Sequence, residues 1–392
     1  MTIVKIREAS YRGGAMTNAT RPIDVLWFLP TWGDGRSVVD YFPDPAKPSA
    51  ARGRRADVGY LRQIAQAADR MGFAGALTPT SSNCEDAWLI CTALAGYTEQ
   101  LKFLVAFRPG FLLPTLAAQM AATMQRITEG RVLINIVTGG DADEQQSFGD
   151  FLDHDARYER TGEFLDVFRR CWEGRFDYEG VHYQVKSGGL KTPFGWSTPP
   201  TQPPIYFGGA SPAAERVAAR YTDVYLLWGE PPEWVAERVA RMRHLAGDEG
   251  RSLRFGIRLH VIAREREEDA RAAAESILQS MQPEQIASAA ERFSNTESVG
   301  QQRMAALHNG QVDMDSLFVA PNLWAGIGLV RRGAGTALVG SYGQIAERIR
   351  EYADIGLDTF ILSGYPHLEE CYNIGEELLP RLREVAVTVG QS

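Results

Sequence analysis

The stretch LKFLVAF, residues 101–107, is apolar at every position except Lys102. A strand with one face in solvent alternates apolar and polar residues, so a run without alternation predicts a strand that is buried on both faces. Strands of this kind belong to parallel sheets that helices cover. The stretch therefore predicts an α/β protein built around a parallel sheet.

Seven more runs of similar character occur along the chain, and helical sequence follows each of them. Eight strands in alternation with helices is the number found in a single (β/α)8 TIM barrel, which is the predicted fold. A doubly wound sheet with fewer strands is the alternative. The other predicted strands are Ile23–Leu29, Gly75–Thr78, Val132–Thr138, Pro204–Gly208, Asp223–Trp228, Arg254–Ile262 and Thr359–Ser363, and helical patterns lie near 58–68, 86–97, 114–128, 155–173, 212–221, 231–246 and 342–356.

Three segments are additional to a minimal barrel. Residues 34–56 are polar and show no apolar period. Residues 174–203 alternate between apolar and polar character and contain Gly/Pro turns, a pattern that predicts a hairpin. Residues 265–340 begin with helical sequence and end in the glycine-rich string AGIGLVRRGAGT, a pattern that predicts a mobile lid over the barrel mouth. We therefore expect residues 1–20 to be a disordered leader and residues 21–392 to form one barrel domain with these three insertions.

Composition excludes several classes of protein. The 392 residues carry a net charge of −8, without a polybasic run, which argues against a nucleic-acid-binding or membrane-binding protein. No apolar stretch approaches the ~18 residues of a membrane span. The four cysteines form no CxxC pair, and the first 22 residues lack the apolar segment of a secretory signal. Together these features predict a cytoplasmic protein.

Chemistry in a TIM barrel belongs at the C-terminal ends of the strands. Arg258 and His260 stand two residues apart in the seventh strand and therefore point to the same side. Arg331 in the predicted lid can join them, so the mouth of this acidic protein gathers cations, which predicts an anionic ligand. The other residues at predicted strand ends are Trp32, Cys84, Arg108, Thr138, Gly139, Gly208, Gly209, Ala210, Ser211, Trp228, Ser363, Gly364, Tyr365 and His367.

Each of these residues also has a purely structural interpretation. Arg258 can bridge to a barrel carboxylate, His260 can be a hydrogen-bonded core histidine, and Cys84 can be a small buried side chain. The GGAS string at 208–211 is either an ordinary turn or a phosphate-binding nest that includes the Ser211 hydroxyl. The histidines show no metal-ligand spacing, so no metal site is predicted. The residues alone predict a barrel enzyme for an anionic ligand.

Longer strings in this sequence resemble the flavin-dependent alkanesulfonate monooxygenases of the bacterial luciferase-like group. The resemblance extends from Ile23 to Leu382. The strings that carry it are WFLPTWGDG (27–35), CEDAWL (84–89), LKFLVAFRP (101–109), VTGGD (137–141), FLDHDARYE (151–159), PPIYFGGAS (203–211), WGEPPE (228–233), RFGIRLHVI (254–262), SVGQQRMAALHNG (298–310), PNLWAGIGLVRRGAGTALVG (321–340) and LSGYPHLEE (362–370).

The resemblance implies a two-component reaction. A separate NAD(P)H-dependent flavin reductase supplies reduced FMN (FMNH2), O2 is the cosubstrate, and the carbon that bears the sulfonate is oxygenated, so that sulfite and an aldehyde are released. Such chemistry requires a dry pocket, cationic groups for the sulfonate and a closing lid. The resemblance also implies a homodimer or homotetramer.

The resemblance assigns roles to individual residues. The catalytic residues that it implies are Arg258, His260, Arg331, Tyr365 and Cys84. The implied flavin-binding residues are Thr138, His154, Tyr158, Gly209, Ala210 and Ser211. The implied substrate-binding residues are Trp32, Trp228, Arg258, His260, Arg331 and His367.

The sequence departs from the family pattern around the mouth. Trp32 stands where the family usually has a histidine, the loop 34–56 is longer, and Ser-Ser-Asn at 81–83 replaces a more basic stretch. Additional hydroxyl and amide groups favour a polyhydroxylated sulfonate, such as the sulfosugar sulfoquinovose, over simple alkanesulfonates.

Two other functions remain open at this stage. The first is a flavin or deazaflavin oxidoreductase of the same scaffold that acts on a non-sulfonate substrate. An uncharged substrate would leave Arg108, Arg258 and Arg331 unpaired, which argues against it. The second is a non-catalytic barrel that binds a flavin or an anion.

Overall fold

Eight parallel strands close into a barrel at the centre of the computed structural model, which describes residues 20–40, 53–194, 196, 199–294 and 296–388. β7 pairs with both β6 and β8, and β8 pairs with β1, which completes the ring. The predicted TIM barrel is confirmed, and a doubly wound sheet is excluded. The barrel strands β1 to β8 are Asp24–Phe28, Gly75–Thr78, Lys102–Phe107, Val132–Ile136, Ile205–Gly208, Val224–Trp228, Arg254–Arg264 and Thr359–Ser363.

Helices follow the strands and cover the outside of the barrel. The helix α1 shows how the sequence defines them: the Asp57 side chain accepts a hydrogen bond from the Tyr60 backbone at its start, and Gly72 ends it in a left-handed conformation. No helix in the described part of the chain combines the length and apolar character that crossing a membrane requires. The helices are α1 Val58–Met71, α2 Ala87–Ala95, α3 Pro114–Ile127, α4 Ala142–Ser147, α5 His154–Glu173, α6 Pro212–Tyr221, α7 Pro232–Asp248, α8 Glu267–Ser280, α9 Pro283–Ser294, α10 Val299–His308, α11 Tyr342–Ile355, α12 His367–Glu377 and α13 Leu379–Leu382.

Further strands lie outside the barrel. Thr20–Pro22 pairs with Ala386–Thr388, and Phe176–Glu179 pairs with Gln184–Gly188, both in antiparallel fashion. The predicted leader, up to residue 19, and positions 41–52 of the predicted polar loop lie outside the described residues.

The segment 265–340 is anchored to the barrel at both of its ends. It contains α8, α9 and α10, an antiparallel pair of Phe318–Ala320 with Leu323–Trp324, a 3-10 turn at Gly326–Leu329, and the strand Ala337–Ser341. That last strand pairs in parallel with the second half of β7, with Ala337 opposite His260. The chain just before Ala337 is therefore brought to the middle of β7, level with the C-terminal end of β8. The segment is referred to below as the mouth insertion.

Two apolar layers hold the barrel together, and a third holds the mouth insertion. Leu26, Phe28 and Leu104 belong to the buried cluster in the barrel interior. A larger cluster fills the space between strands and helices. The third cluster joins residues of the mouth insertion, among them Trp324, to Tyr365 near the end of β8.

An ion-pair network closes the floor of the barrel. Arg254 at the start of β7 donates to Asp358 at 2.7 Å and to Asp24 at 2.9 Å. The Asp358 side chain is only 7% exposed, and Arg254 is its nearer cation, with Arg21 Nε 3.9 Å from the same oxygen. The network therefore links β7 to the starts of β1 and β8.

Replacement of Arg254 by Met leaves these two carboxylates without their shared cation. Because the largely buried Asp358 then keeps only the 3.9 Å contact with Arg21, we expect the free energy of unfolding to fall by about 3 kcal/mol in urea titrations followed by tryptophan fluorescence. The control is Arg170→Met, which breaks an exposed ion pair with Asp166 on α5 and should unfold at the wild-type urea concentration. An Arg254→Met protein as stable as the wild type would contradict the role given to the floor network.

Candidate active site

The middle of β7, level with the C-terminal ends of β6 and β8, places Arg258 and His260 around the Ser363 hydroxyl of β8. Arg258 Nη2 donates to Ser363 Oγ at 2.8 Å, and the same oxygen lies 2.8 Å from His260 Nδ1. Because Ser363 Oγ accepts from an arginine, its own hydrogen is available for His260 Nδ1. With that hydrogen donated to Nδ1, the ring hydrogen of a neutral His260 lies on Nε2.

His260 is held in its neutral form. Burial lowers the pKa of His260 well below its usual value, and the positive charge of Arg258, then of Arg331, lowers it further. His260 Nε2 is buried and makes no hydrogen bond of normal geometry within the described residues. The Ala334 backbone raises the pKa of His260, but this effect is smaller than those of burial and of the arginines. His260 therefore offers a hydrogen-bond donor without adding a third positive charge.

Arg331 carries a buried charge in the turn that precedes the strand Ala337–Ser341. Its Nη1 donates to the backbone carbonyls of Arg332 and Ala334, both at 3.2 Å. Its Nε is buried without a hydrogen-bond partner, and no carboxylate of the described residues forms an ion pair with it. A guanidinium in such surroundings attracts an anion far more strongly than one in water.

Aromatic rings of β1 and the loop after it line the two arginines. The guanidinium carbon of Arg258 lies 4.5 Å from the centroid of the Phe28 ring, and that of Arg331 lies 5.8 Å from it. Arg331 is also 5.2 Å from the Trp32 ring. Tyr365 stacks on His260 with ring centroids 5.4 Å apart. These rings shield the two cations from water and add cation–π attraction to each of them.

Asp34 orients His367, and the sequence interpretation missed this residue. The fully buried Asp34 carboxylate accepts hydrogen bonds from the backbone of His367 and from the Tyr60 hydroxyl, and it lies 2.8 Å from His367 Nδ1. Burial raises the pKa of Asp34, but the opposing effects of His367 and Tyr60 leave it below its usual value. An acidic residue in the loop that follows β1, in the string WGDG, was the signal available in the sequence.

Arg108 differs from the expectation that it joins an anion site. It donates to Glu144 of α4 at 2.6 Å, so its charge is compensated within the protein. Glu144 also accepts a hydrogen bond from the Ser82 backbone at 2.7 Å. Cys84 lies in the same loop, and burial raises the pKa of its thiol. This side of the mouth therefore supplies neutral groups and a compensated ion pair.

A second cluster of predicted residues gathers at the end of β5. The Ser211 hydroxyl caps α6 by accepting from the Ala214 backbone at 3.2 Å, and it also interacts with the Tyr158 hydroxyl. The His154 ring lies 4.9 Å from the Tyr158 ring. A Cβ atom on Gly209 would come within 2.6 Å of the Ala214 Cβ, which explains the glycine there. Hydroxyls at a helix N-terminus fit a phosphate group.

Thr138, Ala210 and Trp228 lie between or beside these clusters. The Thr138 hydroxyl is 3.1 Å from that of Thr161 on α5, and Ala210 is half-buried directly before the Ser211 cap. Trp228 lies under the mouth insertion, because a Cβ on Gly300 would be 2.9 Å from its ring. The Trp228 ring is therefore covered by α10 of the mouth insertion.

The mouth insertion is closed over the ends of β4 and β6. The Arg332 guanidinium pairs with Asp141, and the Thr296 hydroxyl donates to the Gly140 carbonyl at 3.3 Å. Arg303 of α10 forms a bidentate pair with Glu230, at 2.6 and 2.7 Å. Within the described residues, no group of three or more His, Cys, Asp or Glu side chains is arranged to hold a metal ion.

Replacement of Arg331 by Met removes one of the charges that lower the pKa of His260. We expect the pKa of His260 to rise in an NMR pH titration, because protonation then meets less repulsion. In the control variant Arg332→Met the lost charge is one that Asp141 already compensates, so the pKa of His260 should stay unchanged. Equal shifts in the two variants would show that Arg331 does not act on His260 specifically.

Comparison with known proteins supports this architecture. Residues 39–359 match the family described as luciferase-like monooxygenase. Riboflavin lyase RcaE superimposes with a TM-score of 0.73 at 20% sequence identity, covering 95% of this chain and 94% of that chain. EDTA monooxygenase EmoA from Chelativorans sp. BNC1 gives a TM-score of 0.69 at 18% identity, covering 92% of this chain and 94% of that chain. Long-chain alkane monooxygenase LadA gives a TM-score of 0.70 at 18% identity, covering 93% of this chain and 92% of that chain. The chain belongs to the luciferase-like monooxygenase family.

Proposed function

We propose that the protein is an FMNH2-dependent monooxygenase that uses O2 to cleave the C–S bond of an organosulfonate, with release of sulfite and an aldehyde. The observation that carries the proposal is the buried Arg331 guanidinium, which has no carboxylate partner among the described residues. A buried charge without a counter-ion is costly, so an anionic substrate would stabilise the mouth.

The chemistry of the sulfonate group matches the donors at the mouth. A sulfonate carries one negative charge and three acceptor oxygens near neutral pH. Arg331 supplies a positive charge and an N–H at Nε, and neutral His260 supplies an N–H at Nε2. Arg258 lies beside His260 on the same strand, 2.8 Å from the hydroxyl of Ser363. Several converging donors of this kind orient an oxyanion so that its neighbouring carbon has a fixed position.

Reduced FMN fits the second cluster. Ser211 and Tyr158 offer hydroxyls at the start of α6 for a phosphate, with Gly209 and Ala210 allowing close backbone approach. His154, whose ring lies 4.9 Å from that of Tyr158, and Thr138, just after β4, would meet the ring system. When bound, the reduced flavin supplies the electrons with which O2 is activated.

The remaining residues control water and protons. The ion pairs of Arg332 with Asp141 and Arg303 with Glu230 hold the mouth insertion closed and exclude water. Asp34 fixes the His367 ring through Nδ1, and the Tyr365 ring packs between His260 and His367. Because burial raises the pKa of Cys84, its side chain stays a neutral thiol beside the cations.

The departures around the mouth support a sulfosugar such as sulfoquinovose as the substrate. Trp32 lies directly against Arg331, and indole rings pack well on the apolar faces of sugars. Ser82 and Asn83 are exposed in the loop before Cys84, where their polar groups can meet hydroxyls. A separate NAD(P)H-dependent flavin reductase is the proposed partner, and the homo-oligomeric state and cytoplasmic location remain predictions.

The desulfonation reaction is tested with purified protein, a flavin reductase, FMN, NADH and a panel of sulfonates. We expect sulfite and the aldehyde to form only when both reduced FMN and O2 are present. In Arg331→Met we expect kcat/KM to fall about 100-fold, as for loss of a buried charged partner. Arg271→Met removes an exposed arginine of the same mouth insertion and should retain wild-type kcat/KM.

Two results would overturn the proposal. Absence of sulfite from every sulfonate in the panel would exclude desulfonation. Turnover of a non-sulfonate substrate with reduced deazaflavin and without O2 would support the alternative oxidoreductase.

Substrate choice is tested by comparing sulfoquinovose with octanesulfonate under the same conditions. We expect the higher kcat/KM for sulfoquinovose, because its hydroxyls have polar partners at the mouth. Ready release of sulfite from octanesulfonate and none from sulfoquinovose would contradict the sulfosugar assignment.

A further inference from the structure

We propose that Gln301 on α10 is a specificity-determining residue that donates a hydrogen bond to the sulfonate and holds the turn carrying Arg331. This inference rests on the proposed function, which it extends to a residue of the mouth insertion. No sequence pattern identifies Gln301, because its role depends on where the mouth insertion lies in the folded protein.

The orientation of the Gln301 amide is fixed by its hydrogen bond. The Gly333 backbone N–H donates to Gln301 Oε1 at 2.9 Å. An N–H can donate only to the oxygen, so Nε2 must face the other way. The side chain is 1% exposed, and Nε2 has no hydrogen-bond partner within the described residues. Two buried N–H donors are therefore left without an acceptor, which is costly unless a ligand provides one.

The position of Gln301 connects it to the proposed substrate site. The preceding Gly300 lies against Trp228, where a Cβ would be 2.9 Å from the ring. Gly333, which Gln301 binds, follows Arg331 by two residues, and a Cβ on Gly333 would be 3.8 Å from Arg331 Nη1. Gln301 thus lies between the Trp228 ring and the turn that carries Arg331. Gln301 Nε2 and Arg331 Nε are both buried donors without a partner among the described residues, which is the condition that a shared oxyanion would meet.

The chemistry of an amide suits this position better than that of any isostere. A carboxylate in place of the amide would still accept from Gly333, but its negative charge would compensate Arg331 and repel a sulfonate. An apolar side chain would lose both the contact with Gly333 and the donor. The amide holds the Arg331 turn and leaves the positive charge available to the substrate.

The test compares Gln301→Glu and Gln301→Met with the wild type in the full chain. Methanesulfonate and inorganic sulfate serve as binding probes, with Kd measured by calorimetry, and hydrogen exchange of residues 326–336 reports on the Arg331 turn. We expect Gln301→Glu to raise the Kd for methanesulfonate at least tenfold while the turn stays protected from exchange. Gln301→Met should weaken binding and also lose protection.

Kinetics separate a recognition role from a general structural one. With the preferred sulfonate substrate, Gln301→Glu should raise KM about tenfold and change kcat less than threefold. Ala306→Glu places the same charge on the exposed side of α10 and is the control, for which Kd and KM should stay at the wild-type values.

The outcomes distinguish this inference from the proposed function. Wild-type affinity for methanesulfonate in Gln301→Glu would overturn the inference and leave Gln301 as a residue that only holds the turn. If the wild type binds methanesulfonate but releases no sulfite from any sulfonate, the proposed function fails and the Kd comparison still decides the role of Gln301. If the wild type binds neither methanesulfonate nor sulfate, the inference about Gln301 is overturned, while sulfite release still decides the proposed function.

Discussion

The two-residue period of β7 sets the geometry of both ends of this barrel. Arg254, Arg258 and His260 lie on the same side of one strand, so the residue that ties the floor and the pair at the mouth follow from a single register. The strand then continues beyond the barrel and pairs with Ala337–Ser341, and the His260 backbone donates to the Thr336 carbonyl at 2.9 Å. That pairing brings the Arg331 turn to the mouth, although Arg331 is distant in sequence.

The charge at the mouth is positive, whereas the net charge of the whole protein is negative. The chain has a net charge of −8, yet its mouth combines the Arg331 charge with a histidine that burial and neighbouring cations keep neutral. Neutral His260 adds a donor without adding repulsion. A carboxylate at this point would compensate Arg331 and remove the attraction for an anion, whereas the neighbouring Arg108 is compensated by Glu144.

The sequence was sufficient for the barrel because each strand is a short apolar run with its own helical partner, and such patterns are local. The pairing of Arg258 with His260 was likewise predictable from their spacing in β7. The partners of Arg108 and His367 were not, because Glu144 and Asp34 reach them through the folded barrel rather than along the chain. The role of Gln301 could not be predicted from the sequence for the same reason, because only the folded position of the mouth insertion shows where α10 and the Arg331 turn meet.

The central claim is that the mouth recognises the charge of a sulfonate through the buried Arg331. The most direct measurement compares, by calorimetry, the binding of octanesulfonate with that of octyl methyl sulfone, which has nearly the same shape and no charge. We expect saturable binding of octanesulfonate and at least 100-fold weaker binding of the sulfone. Equal affinities for the two compounds would contradict it.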